Sequence, residues 1–461
     1  MNEKKQQNPQ ILMVVDIGGS KYMPGFVNTE GKILYQEKRI WLKTDEKSIV
    51  EQIENALTEI CEKKPEFAKK CVAGGVTIPG FADPITGVWA DSDFLIVHNL
   101  PICQILSDRF QIPFFADNDC NACALAERYF GGAKDGKEFL YLTVSTGIGG
   151  ALYIENELYY GSFWHAGEIG LFVVEEDGRS SDTGSMQGIV EMYASGRGMA
   201  LNYQEEGGRT TADGKIPGGI EISRLAKEGD VPALKTLELE GRYLGRVIAN
   251  ANAVASFEKV ILGGGVSLMF EQYKTFLYQE FQRILPGSNT EIQATELGYT
   301  GAFLGAAAVA IRGISKEENL SNYQLESVTY QIDIDDQVRG TLKINGNKQK
   351  TRVVQTGEFL SSKSIRMEGK TLNQIIEKWQ REEQTEDKLY ETGYEIGKGL
   401  ASACVLLDPE KIIINTCLSR EKLFRNGIRD ALVNDTYYRG NLPFEVVYKE
   451  RTARKENEHG I

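Results

Sequence analysis

Two acidic residues and two glycine loops hold most of the chemistry legible in this chain. Asp119 stands in Asn118-Asp119-Cys120-Asn121, which follows the strand-like Phe114-Phe115-Ala116 and opens a helix-like run. An aspartate in this setting can accept a proton from a substrate hydroxyl, and the adjacent Asn118 can hydrogen-bond another hydroxyl. Asn and Asp are also preferred helix caps, so a purely structural role stands beside the chemical one. Asp16 ends the apolar run 11–15 and leads into Gly18, Gly19, Ser20 and Lys21. Ser145, Thr146, Gly147, Ile148 and Gly149 follow a second apolar run, 140–144. Glycines after a strand let backbone N–H groups close on an anion, because no Cβ blocks the approach. One such loop is what a tight hairpin also produces. Two can grip one polyphosphate from opposite sides.

Three further groups extend the pattern. Val260-Ile261-Leu262 runs into Gly263, Gly264 and Gly265, either a plain turn or a support for the base and ribose of a nucleotide. Glu168 lies in the turn Ala166-Gly167-Glu168-Ile169-Gly170, and Glu191 heads Glu191-Met192-Tyr193-Ala194-Ser195-Gly196. An ionised carboxylate accepts several hydrogen bonds, which suits sugar hydroxyls; surface acid or helix capping is the plain alternative. Phosphoryl transfer to a hydroxyl needs the phosphates held, their charge neutralised with Mg²⁺ and the attacking oxygen oriented by a base. Asp16, the glycine loops and Asp119 are the parts for that task.

The elements that position these residues alternate. Strand patterns surround the first loop, and Ile49, Ile53, Leu57 and Ile60 fall at helical spacing. Residues 71–78 form a buried-type strand closed by Pro79-Gly80, and residues 301–311 (GAFLGAAAVAI) are a helix of small residues able to pack closely. A mixed α/β architecture with ligands between lobes is expected.

Composition narrows the partners. The 461 residues are 41% hydrophobic and 25% charged, ordinary for a globular protein, and the net charge of −13 argues against a nucleic-acid partner. The polar start, residues 1–8, has no apolar core of a signal peptide, and no run approaches a membrane span; no membrane partner and a cytoplasmic location are expected. Seven cysteines at wide spacing do not read as a disulfide framework, and Cys120 and Cys123 read as small buried side chains. Three histidines, His98, His165 and His459, leave little material for a metal cluster.

The chain also repeats itself beyond about residue 323. Gly393, Gly397, Ala401, Ala403, Glu410, Lys411, Ile413 and Ser419 match Gly241, Gly245, Ala249, Ala251, Glu258, Lys259, Ile261 and Ser267 at one offset, 152 (393 − 241). Gly340, Leu342 and Ile344 match Gly150, Leu152 and Ile154 at 190 (344 − 154). The copy has lost its anion chemistry: Asp335-Asp336-Gln337 stands at the place of the second loop, and Asn415-Thr416-Cys417 replaces the three glycines. Three units are expected: 1–136, an N-terminal lobe; 137–315, a C-terminal lobe whose last helix returns to the first; and 323–461, a degenerate copy of the C-terminal lobe. The copy is expected to pack on residues 137–300 in place of a dimer partner, with the polar run 315–324 as linker, giving a monomer with an internal pseudo-dimer.

The strings DIGGSK (16–21), IPGFADPITG (78–87), NDCNACALAE (118–127), STGIGGA (145–151), AGEIG (166–170), EMYASG (191–196) and ILGGGVS (261–267) resemble, in order and spacing, the ROK family of sugar kinases and sugar-responsive repressors. The resemblance covers residues 11 to about 315. It implies the actin-like (ribonuclease H-like) two-lobe ATPase fold, ATP with Mg²⁺, and a hexose or amino-sugar acceptor. It implies Asp119 as general base and Asn118, Asp119, Glu168 and Glu191 as sugar ligands. The family's zinc ligands do not follow: its His is Leu171 here, and residues 178–189 hold no Cys, so no structural zinc is expected. The first strand pattern starts by Ile11, so the repressors' helix-turn-helix is not expected. An ATP-dependent sugar kinase is therefore expected, with a sugar- or nucleotide-binding regulator of weak turnover as the alternative. Retention of Asp119 favours the enzyme, because a binding protein needs no base.

Overall fold

The computed structural model describes residues 8–320, apart from 93, 94, 183, 185 and 212, and beyond them 327–334, 338–345, 350–354, 385–434, 436 and 442–450. The start of the polar tail, the acidic string 335–337 and linker residues 321–324 lie outside the described residues.

The first sheet contains β1 (Ile11–Ile17), β2 (Lys21–Asn28), β3 (Ile33–Gln36), β4 (Arg39–Ile40), β5 (Cys71–Ile78) and β9 (Phe114–Asn118), in the order β3-β2-β1-β5-β9 with β4 on β2. β6 (Phe81–Asp83), β7 (Val88–Ser92) and β8 (Val97–Leu100) form a small antiparallel sheet beside it. β1 and β5 are buried on both faces, as parallel strands covered by helices must be, so they read as continuous apolar runs. Register does the positioning. Asp16 pairs with Thr77 and Thr77 with Asp117, and Asn118 follows opposite Ile78. The carboxyl ends of three parallel strands thus gather the polar residues at one edge, where ligands of open α/β sheets bind.

The second sheet contains β10 (Phe139–Val144), β11 (Ile148–Ile154), β12 (Glu157–Tyr159), β13 (Lys259–Gly263) and β14 (Glu291–Ala294), in the order β12-β11-β10-β13-β14. The helix Gly301–Leu320 then packs on β1, β5 and β9 of the first sheet. It comes close because Gly75 offers no side chain: a Cβ there would lie 1.9 Å from the Ala306 carbonyl oxygen. This helix runs to Leu320, so residues 315–320 are not the linker that their polarity suggests. Lys316, Glu317 and Glu318 are good helix formers, and an existing helix extends over them at little cost.

The third sheet contains β15 (Ser327–Ile334), β16 (Val338–Asn345), β17 (Lys350–Val354), β18 (Lys411–Thr416) and β19 (Glu445–Glu450). Its order, β17-β16-β15-β18-β19, reproduces that of the second sheet. Registers coincide as well. Leu140 pairs with Leu152 and Val260; Tyr330, at the matching place, pairs with Leu342 and Ile412. Each unit closes with two packed helices brought together at glycines. Gly241 and Gly245 face the helix Phe270–Ile284, and Gly393 and Gly397 face the helix Lys422–Asn434. One continuous apolar core holds residues of both units, among them Leu152, Ile169 and Val254 with Val328, Leu406 and Ile412.

Candidate active site

Asp16 is the penultimate residue of β1, and its carboxylate accepts the Thr77 hydroxyl at 2.7 Å. Burial raises its pKa, against the opposing pull of that hydrogen bond and of Lys21. Asp119 begins the helix Asp119–Tyr129. Capping falls to Asn118, whose side-chain oxygen accepts the Cys120 N–H at 2.8 Å and the Asn121 N–H at 3.4 Å, while its amide donates to the Gly80 carbonyl at 2.8 Å. The cap is therefore Asn118, and the capping role that the sequence also offered to Asp119 falls to its neighbour. Asp119 accepts the Cys120 N–H at 2.9 Å. Its pKa is pushed up to about 6, first by burial and then by the charge of Asp16.

Glu168 sits beyond Gly167, whose φ of +90° turns the chain at a point where no side chain would fit against the Gly150 carbonyl. Burial, followed by the charges of Glu191, Asp119 and Asp408, pushes its pKa up to about 7. Glu168 and Asn118 line one narrow cavity of about 40 Å³ together with Gly80, Phe81, Gly149 and Trp164. Glu191 is not part of that wall. Its carboxylate accepts the Ile148 N–H at 2.9 Å and pairs with Arg197 at 3.3 Å, so it braces the second glycine loop.

A second cavity of about 560 Å³ opens beside that loop, lined by Ser145, Thr146, Gly264 and Gly265. Arg197, Ile220 and Tyr299 also face it. The loop is held by the Gly196 N–H on the Ser145 carbonyl at 2.6 Å and by Arg197 on the Thr146 carbonyl at 3.2 Å. Gly264, at φ +80°, lies where a Cβ would meet the Val144 carbonyl at 2.3 Å. Gly263 is glycine for packing instead: a Cβ there would lie 1.9 Å from the Tyr141 hydroxyl, and it does not face the cavity. Gly18, Gly19, Ser20 and Lys21 form the β1–β2 turn, closed by the Gly18 N–H on the Lys21 carbonyl at 2.9 Å, and belong to neither cavity wall.

Behind the narrow cavity lies a buried group that sequence pattern did not reveal. The Asp117 carboxylate accepts the Tyr160 hydroxyl at 2.5 Å, the Asn121 amide at 3.0 Å and the Asn118 N–H at 2.8 Å, and pairs with Arg312 at 3.3 Å. Arg312 also donates to Tyr160 and stacks over its ring. This ties β9, the segment after β12 and the returning helix into one knot under the cleft. Cys120 and Cys123 are buried, and His98 pairs with Asp91 at 2.5 Å. Among the described residues no group of three or more His, Cys, Asp or Glu side chains is placed to hold a metal ion.

Asp16 nevertheless suits a cation of another kind. Mg²⁺ takes hard oxygen donors and is commonly held by one or two carboxylates together with substrate phosphates. Asp16, near enough to Asp119 for its charge to raise that acid's pKa, is such a donor.

The family model described as "ROK family" matches residues 12–312. A glucokinase of Streptomyces coelicolor is 29% identical over 311 residues, covering 64% of this chain and 96% of that protein. An N-acetylmannosamine kinase of Escherichia coli is 28% identical over 306 residues, covering 65% of this chain and 97% of that protein. The crystal structure of a ROK family glucokinase from Streptomyces griseus, in complex with glucose and AMPPNP, superposes with a TM-score of 0.56 at 27% identity, over 66% of this chain and all of that one.

Proposed function

Because the chain belongs to the ROK family and has its actin-like ATPase fold, we propose that it is a carbohydrate kinase that transfers the γ-phosphoryl group of ATP to a hydroxyl of a hexose or amino sugar. The observation that carries this most is Asp119: a buried acid whose pKa is pushed up to about 6, set between Asn118 and Cys120, which line a narrow cavity with Glu168. A hydrogen-bonding sugar ring lies against Asn118, Glu168 and Trp164, with Glu191 completing the acidic set: it braces the loop and its charge acts on Glu168. Asp119 takes the proton of the acceptor hydroxyl as that oxygen bonds to the γ-phosphorus. The bond from the γ-phosphorus to the bridging oxygen breaks, and ADP leaves with the electron pair. Ser145, Thr146 and the glycine N–H groups hold the phosphates, Gly264 and Gly265 pass close to the nucleoside, and Ile220 with Tyr299 offers the base an apolar surface. Gly18 to Lys21 approach the phosphates from the first lobe, where Lys21 supplies a positive charge. Mg²⁺, held on the Asp16 side, would neutralise phosphate charge.

A coupled ADP-release screen over hexoses and N-acetylhexosamines with Mg-ATP tests this. Turnover with at least one sugar is expected; folded protein that releases no ADP with any of them would overturn it. The same assay has a predicted pH dependence. Both Asp119 and Glu168 act ionised, and their pKa values are raised to about 6 and about 7. kcat/KM should therefore rise with pH through that window and level off above it. The two acids repel each other, so the midpoints belong to the pair. A flat profile from pH 5 to 8 would contradict it.

We infer the division into 1–136, 137–315 and 323–461, the last a degenerate copy of the second unit packed on it as an internal stand-in for a dimer partner. The matching strand order and register support this. Light scattering of the full chain should then give the mass of one chain; a stable dimer built through residues 137–300 would refute it.

A further inference from the structure

The helix Thr385–Leu407 ends against the loop that leads to Glu168. A helix leaves its last carbonyls without partners inside the helix. Here the loop supplies them. The Glu168 N–H donates to the Val405 carbonyl at 3.2 Å and the Gly167 N–H to that of Leu406 at 3.0 Å. The Tyr159 hydroxyl donates to the Leu407 carbonyl at 2.5 Å, and the Ser162 N–H to that of Asp408 at 2.8 Å. Four successive carbonyls of the C-terminal unit are thus satisfied by one substrate loop of the second lobe.

Asp408 adds its side chain to this seam. It is fully buried, at φ +46°, a conformation that helix ends usually give to Gly or Asn. A carboxylate at a helix C-terminus also meets the negative end of the helix dipole. The residue therefore sits where neither backbone nor dipole favours it. What the carboxylate does is accept the Phe163 N–H at 2.7 Å and the His165 N–H at 3.1 Å through one oxygen, Oδ2. Between those two lies Trp164, at φ +66°, a left-handed conformation costly for a bulky side chain. Such strain persists only where the surroundings over-determine it, and the two bonds to Asp408 flank it on both sides. Gly161, at φ +79°, lets the carboxylate in: a Cβ there would lie 2.5 Å from the Asp408 Cβ. Trp164 and Glu168 both line the narrow cavity.

We propose that Asp408 is a positioning residue for the sugar site: by holding the backbone on either side of Trp164 it sets Trp164 and Glu168 in place, so that the C-terminal unit, outside the region matched to the family, determines sugar affinity. This rests on the sugar-kinase function proposed above.

In the full-length protein, Asp408→Ala should raise the KM for the accepted sugar by roughly 10-fold or more, since displacement of a positioning loop is felt strongly at the site it serves. The KM for ATP should stay within about 2-fold, because the nucleotide cavity does not contain this loop. Asp408→Asn keeps an oxygen acceptor and should fall between wild type and Asp408→Ala. Amide hydrogen exchange at Phe163 and His165, measured without ligand, should accelerate in Asp408→Ala. An unchanged sugar KM in Asp408→Ala overturns the proposal, as does a uniform loss that moves both KM values and kcat together. If Asp408→Ala does not fold, Gly161→Ala presses on the same carboxylate from the loop side; a wild-type sugar KM there overturns it. If no sugar is turned over by the wild type, the kinase function fails separately, and unchanged exchange at Phe163 and His165 still overturns the clamp.

Discussion

Asp119→Asn is expected to lower kcat by about 10²–10⁴-fold, the usual contribution of a positioned general base. The change preserves size and the oxygen that accepts the Cys120 N–H, so the start of the helix should survive. Asn118, which does the capping, is untouched. Only the capacity to take a proton is lost. Sugar binding, measured by calorimetry without nucleotide, should remain within a few-fold of wild type. Removing one of the carboxylates that crowd Glu168 should also lower the pKa of Glu168, so residual activity should lose part of its acid limb. A variant that keeps wild-type kcat would show that Asp119 is not the base.

Arg312→Ala is expected to cost about 3 kcal/mol of stability, since removing one partner of a buried ion pair strands the other charge. The Asp117 side chain is 1% exposed and that of Arg312 12%. Three neutral hydrogen bonds would remain on Asp117, but no opposite charge among the contacts described above. The lost guanidinium also leaves the Tyr160 ring uncovered. Urea denaturation should show the shift. Arg312→Lys restores charge but not the planar fork, and should recover only part of it. Adding Asp117→Asn to Arg312→Ala removes the stranded charge and should recover part as well. An unchanged midpoint in Arg312→Ala would mean that Asp117 carries no net charge in the folded protein.

What the sequence made legible is what repeats locally. Apolar runs 11–15 and 140–144 ending in glycines are strands with turns, and Asp16 and Asp119 stand at strand and helix ends as their neighbours require. The offsets of 152 and 190 reappear in strand pairing, because a one-residue slip would turn every buried side chain outward. Contacts between distant segments left no such trace. Asp117, Tyr160 and Arg312 come from three elements and meet only through the returning helix. Asp408 reaches Phe163 across 245 positions, in a unit whose sequence shows the loss of glycine loops and nothing of what it gained. Glu191 was legible as an acid near the cleft, but its use as a brace under Ile148 depends on the path of the backbone. Gly263 and Gly264 look alike as letters; the Tyr141 hydroxyl beside one and the positive φ of the other separate them.

The central claim is tested most directly by product analysis. The protein is incubated with Mg-ATP and an equimolar mixture of glucose, N-acetylglucosamine and N-acetylmannosamine, and the products are resolved by mass spectrometry beside the Asp119→Asn variant. One sugar phosphate should accumulate in step with ADP, and both should form at least about 100-fold more slowly with the variant. ATP left intact, or ADP formed with no phosphorylated sugar, would contradict the account.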